Sequence, residues 1–148
     1  MATNELSKLY EEDVYTWAMR NAELIRQGRF DEIDVDHVAE EIESVGKSER
    51  RELENRLIVL LSHLLKWQLQ PGLRGASWRQ SLRNRRITIQ KTLQDSPSLA
   101  QRLPEMLTNE YPAARADAID ETGLSESIFP EACPFTLEQI LNKDFWPD

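Results

Sequence analysis

The sequence predicts an all-α fold, a single-domain helical bundle of five main helices and a short sixth near the C-terminus. Three observations carry this. Apolar residues recur at three- and four-residue spacing in stretch after stretch. No segment alternates apolar and polar as a half-buried strand does, and no repeat of longer period is visible. Gly, Pro and Ser fall between the periodic stretches, where helices have to stop.

The first helix is expected over residues 5–27, on the pattern Leu6, Tyr10, Val14, Trp17, Ala18, Leu24 and Ile25. Gly28 follows as a left-handed cap. Asp34 is then expected as the N-cap of a second helix, with Ile33 and Val38 stapled around it. That helix shows Val35, Val38, Ile42 and Val45. Gly46 interrupts, yet the seam continues in phase through Leu53, Leu57, Leu60 and Leu64. One helix from about 35 to 70 would be roughly 54 Å long at 1.5 Å per residue. A compact domain of this size is nearer ~40 Å across. A kink or break near Gly46–Ser48 is therefore expected. If the helix runs straight, a second chain is expected to cover the excess.

Residues 57–69 are apolar over roughly half the circumference or more, so the helix near 53–69 reads as the central one. Leu57, Leu60, Leu61 and Leu64 are expected in the core together with Trp17. Pro71 and Gly72 end the helix. Ser77 is expected to cap the fourth, whose seam is Trp78, Leu82, Ile89 and Leu93, and "DSPS" breaks the chain again. The fifth helix carries Leu103, Leu107, Tyr111, Ala114 and Ala118, with a kink expected at Pro112 and a cap at Gly123. Thr136 and Gln139 spell a capping box, and Phe135 and Ile140 its staple, for a short helix at about 137–142. Residues 1–4 are expected to be loose and residues 125–148 to dock on the bundle.

Charge is unevenly spread over the 148 residues, whose formal sum is −8. Residues 1–55 and 95–148 each carry −8, whereas residues 56–94 hold eight bases and no acid. The overall acidity disfavours a nucleic-acid partner, and the central segment alone would favour one. One cysteine excludes an internal disulfide. No apolar run reaches the ~20 residues needed to span a bilayer. The N-terminus lacks a signal-like apolar core, so a cytoplasmic location away from membranes is expected.

Several stretches together resemble a known bacterial family: "LYEEDVYTWAMRNAELIRQGRFDEIDVDHVAEEIESVGKSERREL", "LLSHLLKWQ", "SWRQSLRNRR", "DSPSL" and "PEACPFTLEQIL". They occur in order over about 9 to 147. The family resembled is domain of unknown function family 29. The resemblance implies a single helical domain and brings no activity and no site residues with it.

Site chemistry therefore has to come from the residues. His37 and Glu41 lie one helical turn apart, a spacing that presents two metal ligands from one face; Asp13 and His63 are the further candidates. Against this, Glu40, Glu41 and Glu43 also make an ordinary solvated helix face. No H-E-x-x-H or cysteine cluster is present. Ser62 and His63 are adjacent, so they point about 100° apart on a helix and do not form a nucleophile–base pair. Arg79, Arg83 and Arg86 fall along one ridge, continued by Gln90, with Trp78 on the neighbouring seam. Such a ridge can track phosphates while Trp stacks on a base, or it can pair with carboxylates such as Glu40, Glu41 or Glu43 and clamp the bundle. Trp78 is expected beside Trp67. Without a catalytic signature or a cofactor motif, the expected function is binding: a small adaptor or regulator acting by protein–protein association, with a homodimer among the forms expected. A metal-dependent helical-bundle enzyme using Asp13, His37, Glu41 and His63 is one alternative. A nucleic-acid-linked regulator using the arginine ridge is the other.

Overall fold

A computed structural model describes Ala2–Asp148, with side chains from Glu5 onward. Met1 lies outside the described residues, so the expectation for 1–4 is only partly open to view; the backbone is helical from Ala2. The protein is all-α, with no strand among the described residues. The described residues form six α-helices: α1 (Ala2–Glu12), α2 (Val14–Arg26), α3 (Val35–Leu69), α4 (Ala76–Asp95), α5 (Leu103–Thr122) and α6 (Leu137–Leu141). Short 3-10 turns lie at Pro71–Leu73, Pro97–Arg102 and Glu126–Ile128. The chain divides into two compact units, Met1–Ser48 and Glu49–Asp148.

The first unit departs from the expectation of one helix over 5–27. Asp13 adopts φ −154° and ψ 80° and separates α1 from α2. Its carboxylate accepts from the Thr16 backbone N–H at 3.1 Å and from the Thr16 hydroxyl at 2.6 Å. A capping aspartate satisfies a free N–H that an unbroken helix would not leave, so the break is stabilised locally. The turn brings Tyr10 of α1 onto Trp17 of α2, ring centroids 4.8 Å apart. Gly28 has φ 74°, as a left-handed cap requires.

The expected break near Gly46 is absent, and helical structure is continuous over Val35–Leu69. A glycine inside a helix costs only about 1 kcal/mol. Helix-supporting pairs at i, i+4 flank it: Glu43 with Lys47 at 3.7 Å across the glycine, then Arg50 with Glu54 at 3.4 Å, and Glu52 with Arg56.

The second unit is built on the last part of α3. Leu53, Leu57, Leu60, Leu61, Leu64 and Leu65 are fully buried. Leu82 and Ile89 of α4, with Met106, Tyr111, Ala114 and Ala118 of α5, close around them. Trp17 is buried too, but in the first unit beside Tyr10 and Asp34, not in this leucine cluster. The N-cap of α4 is Gly75 rather than Ser77, without a side-chain cap. Gly75 is extended there (φ −160°, ψ −176°), and the helix starts two residues earlier than a Ser77 cap would place it. Helix α5 runs through Pro112 and ends at Gly123 in the left-handed conformation, φ 67°.

The C-terminal segment completes the second unit's core. Phe129, Phe135 and Ile140 are buried in the core, and Phe145 and Trp146 are partly buried against it. The capping box is present: Gln139 N–H donates to Thr136 Oγ1 at 3.1 Å, and Thr136 N–H donates to Gln139 Oε1 at 3.0 Å. Tyr111 donates to the Pro130 carbonyl at 2.6 Å, and Arg115 donates to the Phe129 and Pro130 carbonyls. Cys133 is half-buried and free; burial pushes its thiol up and makes it a poor nucleophile.

Candidate functional site

Two constellations of polar side chains stand out, one in each unit. In the first, Asp34 ends the loop before α3, and its backbone carbonyl accepts from Val38 N–H at 2.9 Å. Its carboxylate is buried and accepts from three side chains: Trp17 Nε1 at 2.8 Å, His37 Nδ1 at 2.7 Å and Ser7 Oγ at 3.2 Å. Its own N–H donates to Asn21 Oδ1 at 2.8 Å, and Asn21 Nδ2 donates to the Trp17 carbonyl at 2.8 Å. Burial pushes the Asp34 carboxyl up, but the hydrogen bonds from Trp17 and His37, with the charge of His37, outweigh it and hold it below its ordinary value. Tyr10 stacks on the His37 ring at 4.1 Å and donates to Glu41. That hydrogen bond is the main reason the Tyr10 hydroxyl is pushed up to about 12.

The proposed metal ligands are thus only partly assembled. His37 and Glu41 do share one face, with Tyr10 bridging them. Asp13 instead spends its carboxylate on the start of α2. His63 belongs to the other unit, where its Nδ1–H donates to the Val59 carbonyl at 2.7 Å and burial pushes its pKa down. Among the described residues no group of three or more His, Cys, Asp or Glu is arranged to hold a metal ion. Asp34, absent from the expected set, is the residue that organises this cluster. The segment "DVDHV" shows it only as a helix cap, because nothing local reveals that Trp17 and Ser7 arrive from α2 and α1.

In the second unit a groove of about 950 Å³ lies between α4 and the chain after α6. Arg83, Arg86, Lys91 and Lys143 line it, opposed by one acid, Asp144. The three arginines of the expected ridge have different fates. Arg79 extends over the Trp67 ring, 5.7 Å from its centroid. Arg83 is exposed at the groove. Arg86 is buried, 2% exposed, and does not reach for carboxylates as expected. Its Nε–H donates to the Ile140 carbonyl at 2.8 Å and an Nη2–H to the Gln139 carbonyl at 3.3 Å. The Ile140 carbonyl is an orphan at the end of α6 and needs a donor; the Gln139 carbonyl also accepts from Asn142 N–H at 3.3 Å. Its guanidinium lies 5.8 Å from the Trp146 ring centroid. Burial pushes the Arg86 pKa down, against the nearby charge of Asp144.

Trp78 is half-buried against the core. The ring paired with Trp67 is not Trp78 but Trp146, at 4.8 Å, and Arg74 covers Trp67 as well. Trp146, Lys91 and Lys143 complete the groove; the sequence predicts Trp146 only as part of the docked tail and gives the two lysines no role. Their only sequence signals are the i, i+4, i+8 register of Arg83, Ile87 and Lys91, and an aromatic in a segment read simply as docked. The groove can chemically hold an anion beside a flat or apolar group.

The protein is therefore all-α and carries a cationic groove beside α4, on a chain that is acidic as a whole. Residues 9–146 match the family model described as Domain of unknown function DUF29, and the chain belongs to that family. No curated protein and no solved structure matches it. Among the described residues, no helix is long and apolar enough to cross a membrane.

Proposed function

We propose that this is a small cytoplasmic binding protein, an adaptor or regulator, that works by protein–protein association with a second copy of the chain as partner. The observation that carries this reading is an uncovered apolar face on α3. Val35, Ile42 and Val45 are 58%, 67% and 68% exposed, and they fall on one stripe at i, i+7 and i+10. Residues 39–48 are all exposed. Most helical stability in proteins comes from packing of an apolar face, and among the described residues Ile42 and Val45 are left largely uncovered. Tyr15 and Met19, one turn apart on α2, are exposed as well. Exposed apolar surface of this kind marks an interaction site. A second copy is the simplest occupant, because two identical stripes packed about a two-fold axis cover each other.

Light scattering on the full chain tests this. The expected result is a mass near twice 17.2 kDa that returns to 17.2 kDa in the Ile42→Glu/Val45→Glu variant. A wild-type protein that stays at the single-chain mass at high concentration defeats the second-copy reading.

A further inference from the structure

The groove beside Arg86 holds an unmet electrostatic need. A guanidinium has five N–H donors and a charge it does not lose in a protein. Arg86 uses one donor on Ile140 and one on Gln139. Its Nη1 is buried and has no hydrogen-bond partner among the described residues. Within the Glu49–Asp148 unit no carboxylate lies within ion-pair distance of it. Carbonyl dipoles and the Trp146 face share its charge without neutralising it. A buried charge left in that state is costly unless an anion completes it.

The surroundings add to the charge. Arg83, Lys91 and Lys143 are exposed along the same groove and form no ion pair within this unit. Asp144 is the single opposing acid. Apolar surface lies beside this cationic excess: Ile87 is exposed, and Trp146 is half-buried.

We propose that this groove binds a small phosphate-bearing ligand, with its phosphoryl oxygens against Arg86, Arg83 and the two lysines and its flat or apolar part against Trp146 and Ile87. Arg and Lys together suit a phosphate because the guanidinium offers a planar fork of donors and the ammonium a point charge. Four cations against one acid match a doubly charged phosphomonoester better than a lone carboxylate. The volume falls within the range of small-molecule sites, roughly 300–1,000 Å³. A long polyanion is disfavoured by the acidity of the chain as a whole. Arg86 also holds the end of α6, so ligand binding and docking of the C-terminal segment share one side chain.

The test is calorimetric titration of the full chain with adenosine monophosphate, adenosine, inorganic phosphate and a ten-base single-stranded oligonucleotide. Saturable one-site binding of the monophosphate is expected, with weaker binding of inorganic phosphate and none of adenosine. Because Arg86→Ala can unfold the segment it anchors, the variants are the exposed pair Arg83→Ala/Lys91→Ala and, separately, Lys143→Ala. Each should keep the wild-type circular dichroism and weaken the monophosphate by at least about tenfold, the scale of one lost charge-assisted hydrogen bond. Arg102→Ala, outside the groove in the same unit, should leave it unchanged. No saturable binding of the monophosphate at millimolar concentration overturns the proposal, as does binding indifferent to the groove variants. Tighter binding of the oligonucleotide, lost in the same variants, overturns it too and makes the groove a nucleic-acid contact.

Discussion

The indole N–H of Trp17 donates to the buried carboxylate of Asp34 at 2.8 Å, joining α2 to the residue that starts α3. Asp34 stays ionised there because three side-chain donors replace the water it lost. The bond is the pivot of the first unit's polar cluster. Trp17→Phe keeps most of the ring and removes only this donor. It should cost about 1–3 kcal/mol, the range for a hydrogen bond lost from a buried charged group. A urea midpoint equal to wild type would show that the carboxylate does not depend on the indole.

Leu64 tests the second unit. It is fully buried on the side of α3 that faces α4 and α5. Leu64→Ala should destabilise by about 2–5 kcal/mol, lost transfer energy plus a cavity. A loss under about 1 kcal/mol in denaturant unfolding would rule out a close-packed leucine core at this position.

Ser62 points the other way. Its hydroxyl is buried without a hydrogen-bond partner among the described residues. Ser62→Ala removes an unsatisfied polar group and adds a better helix former, so it should stabilise by about 1 kcal/mol. A measurable loss of thermal stability would mean that the hydroxyl has a partner in solution.

His63 predicts a pH dependence. Burial, and then the nearby Lys66 and Arg85, push its pKa below the ordinary 6.5, opposed by its bond to Val59. The unfolded chain therefore takes up this proton at higher pH than the folded one. Stability from this residue is fully present above about pH 6.5 and falls as pH drops from there toward the folded pKa. Thermal unfolding of wild type and His63→Gln between pH 7.5 and pH 5 isolates the effect. The wild type should lose stability faster on acidification; parallel curves would refute the assignment.

The sequence was most readable where its signal was local and periodic. The leucine seam of α3, the left-handed cap at Gly123 and the Thr136–Gln139 capping box each need only a few neighbouring residues. Two boundaries failed for energetic reasons. Asp13 makes a break that apolar periodicity hides, since Tyr10, Val14 and Trp17 stay in phase across it. Gly46 suggests a break that neighbouring ion pairs make unnecessary. The candidate sites were least legible because they are non-local. Arg86 looked like one member of an exposed ridge, and only its contacts 53 and 54 residues away show it as a buried anchor. The partners of Trp17 and Trp67 lie 17 and 79 positions further along the chain.

That last spacing bears on how the protein is made. Leu57–Leu65 leaves the ribosome early, but the side chains that finish its cover, Phe129, Phe135, Ile140 and Trp146, are synthesised many seconds later at roughly 5–20 residues per second. Until then a greasy helix stands half-dressed on the nascent chain, with Trp67 lacking its ring partner and Arg86 lacking the carbonyls it will grip. The second unit's core thus closes only after residue 146 has emerged. Any pause in translation before that point lengthens the time in which a holdase chaperone, or another nascent chain, can occupy the tail's place.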